Sequence, residues 1–275
     1  SPVLAAPPRS NPGSATHHEL MMHLALTNNN PDMLALLIIS NKVSADAPIG
    51  QRALRPLHIA VPRKKMVMML LENKANLAMV DSLRRTPLHH AAMLIISSTR
   101  RAYIEPQSSS NSPKIDDLSW LWEAAKSRKL LNAPDHQGNT ALHLLITSAQ
   151  PQRTHKQQNS SSRSSETEMR LEMEERFNLG VIDSVCAALL NARANPCARN
   201  LKGDTPLYVA ARRGALSVAM RLIDAGGLAL EVTNEGRQSW VEVATGEVKA
   251  HLLHEPSIFI AALKKAMDGK THRPL

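Results

Sequence analysis

Apolar residues along this chain come in paired short stripes of helical spacing. One stripe of each pair follows a polar or proline-bearing start: Leu88, Ala91 and Ala92, or Leu207, Val209, Ala210 and Ala211. Its partner comes after a short break, as Met66 to Leu71, Val185 to Leu190, or Val218 to Ile223. Apolar positions recurring at this interval predict amphipathic helices, each with one buried face. Between the pairs lie polar stretches: Asp81-Ser82-Leu83-Arg84-Arg85, Asp135-His136-Gln137-Gly138-Asn139 and Asn200-Leu201-Lys202-Gly203-Asp204. Asp or Asn with Gly suits tight turns. The pattern predicts helix pairs joined by tight turns.

The helix starts repeat a phrase. Thr86-Pro87-Leu88-His89-His90-Ala91-Ala92 returns as Thr140-Ala141-Leu142-His143 and as Thr205-Pro206-Leu207-Tyr208-Val209-Ala210-Ala211. Arg55-Pro56-Leu57-His58-Ile59-Ala60 is a fourth copy and Met22-His23-Leu24-Ala25 a worn fifth. Thr caps free backbone N–H groups, and Pro is tolerated at the first helical position, where its missing N–H would have had no partner. The phrase resembles the signature of the ankyrin repeat. That resemblance implies an all-α solenoid of antiparallel helix pairs with protruding β-hairpin-like turns. It also implies that His58, His89 and His143 tie neighbouring loops by hydrogen bonds, with His23 as the repeat's own histidine in the first copy. Tyr208 departs from the pattern and puts the tie in doubt at one joint.

Spacing locates the interruptions. Met22 to Leu57 is 35 residues, Leu57 to Leu88 is 31 and Leu207 to Trp240 is 33, bracketing a 33-residue period. Leu88 to Leu142 is 54 and Leu142 to Leu207 is 65, so polar insertions are expected near 97–117 and 150–168. Both contain serine-rich tracts that bury too little apolar surface to offset their ordering, so they are expected to be mobile. The charged stretch 167–178 is expected to lengthen the following helix. Residues 1–17 form a flexible lead-in and 18–254 the array. Residues 255–275 form a capping helix and tail, with Glu235 to Trp240 keeping the turn-then-helix phase of a degenerate last repeat. The missing initiator Met suggests a processed or excised fragment.

Composition narrows the function. No apolar run approaches the ~18 residues of a membrane span, and two cysteines, Cys186 and Cys197, give no disulfide framework and point to a reducing compartment. The chain has 33 Lys+Arg against 24 Asp+Glu, which suits an acidic partner. Only 3% of residues are aromatic, leaving no stacking platforms for single-stranded nucleic acid, so direct nucleic-acid binding is not expected. His18-Glu19-Leu20-Met21-Met22-His23 imitates a zinc motif, but its histidines are five apart instead of four, which turns the second away. No phosphate loop or nucleophile elbow is present, so neither catalysis nor a cofactor is expected.

Ankyrin proteins, by resemblance, bind other proteins through turn tips and the inner face of the first helices. Carried onto this chain, those positions are Gln51, Arg52 and Leu54; Ser82, Leu83 and Arg85; and His136, Gln137 and Asn139. Further along they are Leu201, Lys202 and Asp204, then Asn234, Glu235 and Arg237, extended by Arg212 and Arg213 at a helix end. The expected function is a monomeric, non-enzymatic protein-binding scaffold or adaptor inside the cell, in cytoplasm or nucleus. The alternatives are the ankyrin module of a transcription regulator, or of a larger enzyme or channel whose working domain lies elsewhere.

Overall fold

The structure, a computed structural model, describes residues 17–40, 42–61, 63–104, 119–127, 129–148, 179–226, 234–254 and 260. The lead-in, the second insertion, the stretch 167–178 and the capping segment fall almost wholly outside them. Helices account for the regular structure among these residues: α1 (His17–Thr27), α2 (Pro31–Ala35, continued by a π-helical turn Leu36–Ser40), α3 (Pro56–Ala60) and α4 (Lys64–Glu72). Next come α5 (Pro87–Ile104), α6 (Ser119–Ser127), α7 (Ala141–Ser148) and α8 (179–191). The last three are α9 (Pro206–Arg212), α10 (Leu216–Asp224) and α11 (Gly246–His254).

First helices stack in series, α1 on α3, α3 on α5, α5 on α7 and α7 on α9, and α1, α3, α5 and α9 pack on the second helices α2, α4, α6 and α10. Leu57, Leu88, Leu142 and Leu207, the shared register residue of the repeated phrase, are all buried, as are Val67, Leu70, Val185, Leu189, Val218 and Leu222 on the second helices. One apolar core therefore joins the described units, each packing on its neighbours. Across the second helices, Arg221 grips Asp183 through Nε (2.8 Å) and Nη2 (2.6 Å), joining α10 to α8.

Irregular spacing has local causes. The first unit is two residues long: one extra residue is absorbed by the π-helical turn at Leu36–Ser40, and another by the first inter-unit turn, where Ile49 pairs with Leu54 across four residues instead of three. The second unit is two short because α3 has 5 residues where α9 has 7. Arg63 closes the gap by donating from Nη2 to the Thr27 carbonyl at the end of α1 (3.0 Å).

α5 runs 18 residues to Ile104, into the stretch expected as the first insertion, with no Gly or Pro to stop it earlier. Two expectations need correction. The last unit keeps its turn but not its first helix. Residues 240–243 form a single turn in which Ser239 and Glu242 cap each other: Ser239 N–H donates to Glu242 Oε2 (2.6 Å) and Glu242 N–H to Ser239 Oγ (3.4 Å). Trp240 holds the leucine register and is buried. His23 also keeps its register yet is exposed. It sits in the middle of α1, where the N–H three residues back belongs to the helix; the other phrase histidines sit in a first turn, beside a cap N–H that needs an acceptor.

Thr205 caps α9 by accepting the Tyr208 N–H on Oγ1 (3.2 Å). Thr205→Ala should cost about 0.5–2 kcal/mol, and Leu207→Ala, in the core, about 2–5 kcal/mol. Urea denaturation should rank them in that order; the reverse order would mean that this unit is phased wrongly.

Candidate protein-binding face

The turns are built by Asp and Asn side chains folded back on their own backbone. Asp81 Oδ1 accepts the N–H groups of Leu83 (2.9 Å) and Arg85 (2.8 Å), and Asp135 Oδ1 those of Gln137 and Asn139 (both 2.8 Å). Asn200 Oδ1 accepts from Lys202 and Asp204 (both 2.9 Å), and Asn234 Oδ1 from Gln238 (3.0 Å). A short polar side chain two to four residues upstream thus replaces a strand partner. The tips then bond to one another. Ser82 N–H donates to Arg52 O (2.9 Å), His136 to Leu83 O (3.0 Å), Leu201 to Gln137 O (2.9 Å) and Glu235 to Lys202 O (2.9 Å). The five tips form one continuous ledge.

Histidines bolt that ledge to the helices. His58 Nδ1 accepts the Arg55 N–H (2.9 Å), so Nε2 carries the proton and donates to the Arg85 carbonyl of the next turn (2.8 Å). His89 repeats this between Thr86 and the Asn139 carbonyl (3.0 Å), and His143 between Thr140 and the Asp204 carbonyl (3.1 Å). Burial holds His58 and His89 down to about 4 and lowers His143 as well. At the joint where Tyr208 stands, side chains replace the backbone tie: Asn234 Nδ2 donates to the phenol oxygen (2.9 Å), which lies 3.2 Å from Gln238 Oε1. Tyr208→Phe should therefore cost about 1 kcal/mol, read as a lower urea midpoint; an unchanged midpoint would make this tie unimportant.

Placement sorts the expected binding positions into two groups. Gln51, Arg52, Ser82, His136, Gln137, Leu201, Lys202, Arg212, Glu235 and Arg237 are exposed. Leu54, Leu83, Arg85, Arg213 and Asn234 are half-buried, and Asn139 and Asp204 are buried. The second group is engaged inside the array. Asn139 Oδ1 accepts from Asn200 Nδ2 (3.0 Å) and Asp204 Oδ1 from Asn234 Nδ2 (3.3 Å), side-chain ties between successive turns. Asn234 occupies the turn-opening position of Asn200, which puts Gln238 where Asp204 stands in the unit before. Arg85 Nε and Arg213 Nη1 are buried without a hydrogen-bond partner among the described residues.

The spacing missed Arg84, an exposed tip residue at φ +56°, the backbone conformation that Gly138 and Gly203 adopt in the equivalent place. A glycine expected at that position was the available signal. Arg84→Gly should stabilise by about 0.5–1 kcal/mol, since a left-handed L-residue costs more than glycine's extra chain entropy; a lower urea midpoint would contradict this.

Charge on the ledge is one-sided. Arg52, Arg84, Lys202, Arg212 and Arg237 are exposed, whereas Asp81, Asp135 and Asp204 are buried within the turns. Glu235 and Glu242 are exposed acids at the far end of the array, and Glu242 is already held by Ser239. The described residues contain no group of three or more His, Cys, Asp or Glu placed to hold a metal ion. No described helix is long and apolar enough to cross a membrane. Cys186 is buried, its thiol pushed up to about 12 by burial and the nearby Asp183, so it is a packing residue and not a nucleophile.

Comparison with known families agrees with this architecture. Residues 21–98 match the family model for ankyrin repeats in three copies, and residues 202–234 match the model for a single ankyrin repeat. No curated protein matches the chain. With its capped helix pairs, its histidine-bolted turns and these matches, the chain carries ankyrin repeats, a protein-interaction module.

Proposed function

We propose that the chain is a non-enzymatic scaffold or adaptor that holds a partner protein against its turn ledge and the inner ends of its first helices. The observation that carries this reading is the division of labour within each turn. Asp81, Asp135, Asn200 and Asn234 build the turn, which leaves the side chains of Arg52, Arg84, His136, Lys202 and Arg237 exposed on the tips. A rigid row of side chains supplied by tied loops is preorganised, so binding orders little. The excess of cations favours an acidic surface on the partner, with association weakening as salt rises. Two thiols with no disulfide between them fit work inside the cell.

The test compares wild type with the variant Arg52→Glu, Arg84→Glu, Lys202→Glu, Arg212→Glu and Arg237→Glu in affinity capture from cell extract. Captured proteins should be lost while far-UV circular dichroism stays unchanged. An unchanged set with both proteins folded would move the binding surface to the second helices. Arg85 is left out of the variant because its half-buried guanidinium would confuse folding with binding.

A further inference from the structure

The ledge is not uniform. At its first tips the exposed cations Arg52 and Arg84 stand without a large exposed apolar neighbour, and the middle tip offers His136 and Gln137. The last two tips differ. Leu201, at the apex of the fourth, is 66% exposed: its backbone N–H makes the tip-to-tip bond while its side chain lies outside the core, beside the cations of the last tips in sequence. Lys202 follows it, and Lys202 O accepts the Glu235 N–H, which brings Arg237 of the fifth tip alongside.

The inner end of α9 continues the same surface. The Arg212 guanidinium lies 5.9 Å from the centre of the Tyr208 ring, and the Tyr208 hydroxyl reaches Asn234 and Gln238 on either side of Arg237. The cation thereby lies over an aromatic face while remaining exposed. Leu201 and Lys202 on the fourth tip, Arg237 on the fifth and Arg212 at the end of α9 thus belong to adjoining parts of one end of the array, with Glu235 and Glu242 as exposed acids of the same end.

We propose that this end of the ledge docks an acidic peptide segment carrying a bulky apolar side chain, the apolar group seated on Leu201 and its flanking carboxylates meeting Lys202, Arg212 and Arg237. The inference rests on the protein-binding reading above and names the partner's chemistry. Cations alone would attract any polyanion, but they would leave Leu201 uncovered. An apolar residue inside an acidic run satisfies both features, burial supplying affinity and charge supplying orientation and encounter rate.

The test uses the full chain and a fluorescein-labelled peptide of repeated Glu-Glu-Leu-Glu, with counterparts in which every Leu is Ser or every Glu is Gln, followed by anisotropy. The parent peptide should bind saturably. The Gln peptide should bind at least about tenfold more weakly and the Ser peptide about three- to tenfold more weakly. Lys202→Glu with Arg212→Glu and Arg237→Glu should weaken the parent peptide at least about tenfold, and Arg52→Glu with Arg84→Glu less than about twofold. Leu201→Ser should weaken the parent peptide yet leave the Ser peptide unchanged, a difference that a folding defect would not produce.

Several results would overturn the proposal. One is no saturable binding of the parent peptide, and another is equal loss from the two charge-reversal variants. A third is displacement of the peptide by a single-stranded oligonucleotide of equal charge as readily as by unlabelled peptide, since phosphate neutralisation would then explain the affinity. Failure to bind the peptide combined with ledge-dependent capture from extract would refute the acidic-apolar partner while leaving the scaffold reading intact.

Discussion

Lowering the pH from 7 to 4 is expected to strip the array of a large part of its stability before most carboxylates titrate. His58 and His89 are neutral in the fold because burial holds them near 4 against an ordinary value of 6.5. Above about 6.5 both states are neutral and the histidines contribute no pH dependence. Between 6.5 and 4 the unfolded chain takes up protons that the folded chain refuses, so stability falls as pH falls; below 4 the loss is complete and constant. At about 1.4 kcal/mol per pH unit for each group, two such histidines remove on the order of 7 kcal/mol, comparable with the total stability of an ordinary domain. His143, shifted the same way, adds to it. The raised Asp46 opposes the trend only near the lower edge of the window, and the lowered Asp81 loses its contribution below it. Urea midpoints measured between pH 7 and pH 4 should fall steeply, and His89→Gln should flatten part of the slope. A midpoint constant over that range would mean that these imidazoles are not buried in neutral form.

Gly138→Ala should be among the most damaging single-methyl changes in the molecule. Gly138 has φ +77°, and a Cβ added there would stand 2.7 Å from the Leu201 backbone nitrogen. The substitution therefore meets two penalties: about 1–2 kcal/mol for a left-handed L-residue, and a clash with backbone that forces the third and fourth tips apart and endangers the Leu201–Gln137 bond. A total on the order of 3 kcal/mol is expected. Gly50→Ala supplies the control, because Gly50 has φ +65° but nothing within 4 Å of its added Cβ. It should show the backbone cost alone. Equal losses of stability at the two sites would refute the close packing of neighbouring tips.

The repeat was readable because each unit must solve the same local problems. Thr-Pro-Leu-His states a cap, a first helical turn, a core residue and an acceptor for the cap N–H, and the buried Leu57, Leu88, Leu142 and Leu207 follow from it. The one-residue adjustments were not readable. A period of 35 in place of 33 says that two residues are extra but not that one becomes a π-helical turn at Leu36–Ser40 and the other widens the turn at Ile49. Asn139 and Asp204 illustrate a second limit. Polar turn residues read as solvent-facing, yet the spare acceptors of each turn are used by the amide of the next, which draws those side chains inward. Tyr208 shows the reverse case: its departure from histidine cast doubt on a tie that the longer phenol makes by another route.

The central claim is that a partner lies on the ledge and not on the outer helices, and amide hydrogen exchange with a captured partner bound tests it most directly. Protection should appear at the backbone of Leu201, Lys202, Gly236 and Arg237, with α4 and α10 unchanged. Protection confined to α4 and α10, with the tips exchanging as in the unbound chain, would contradict the account.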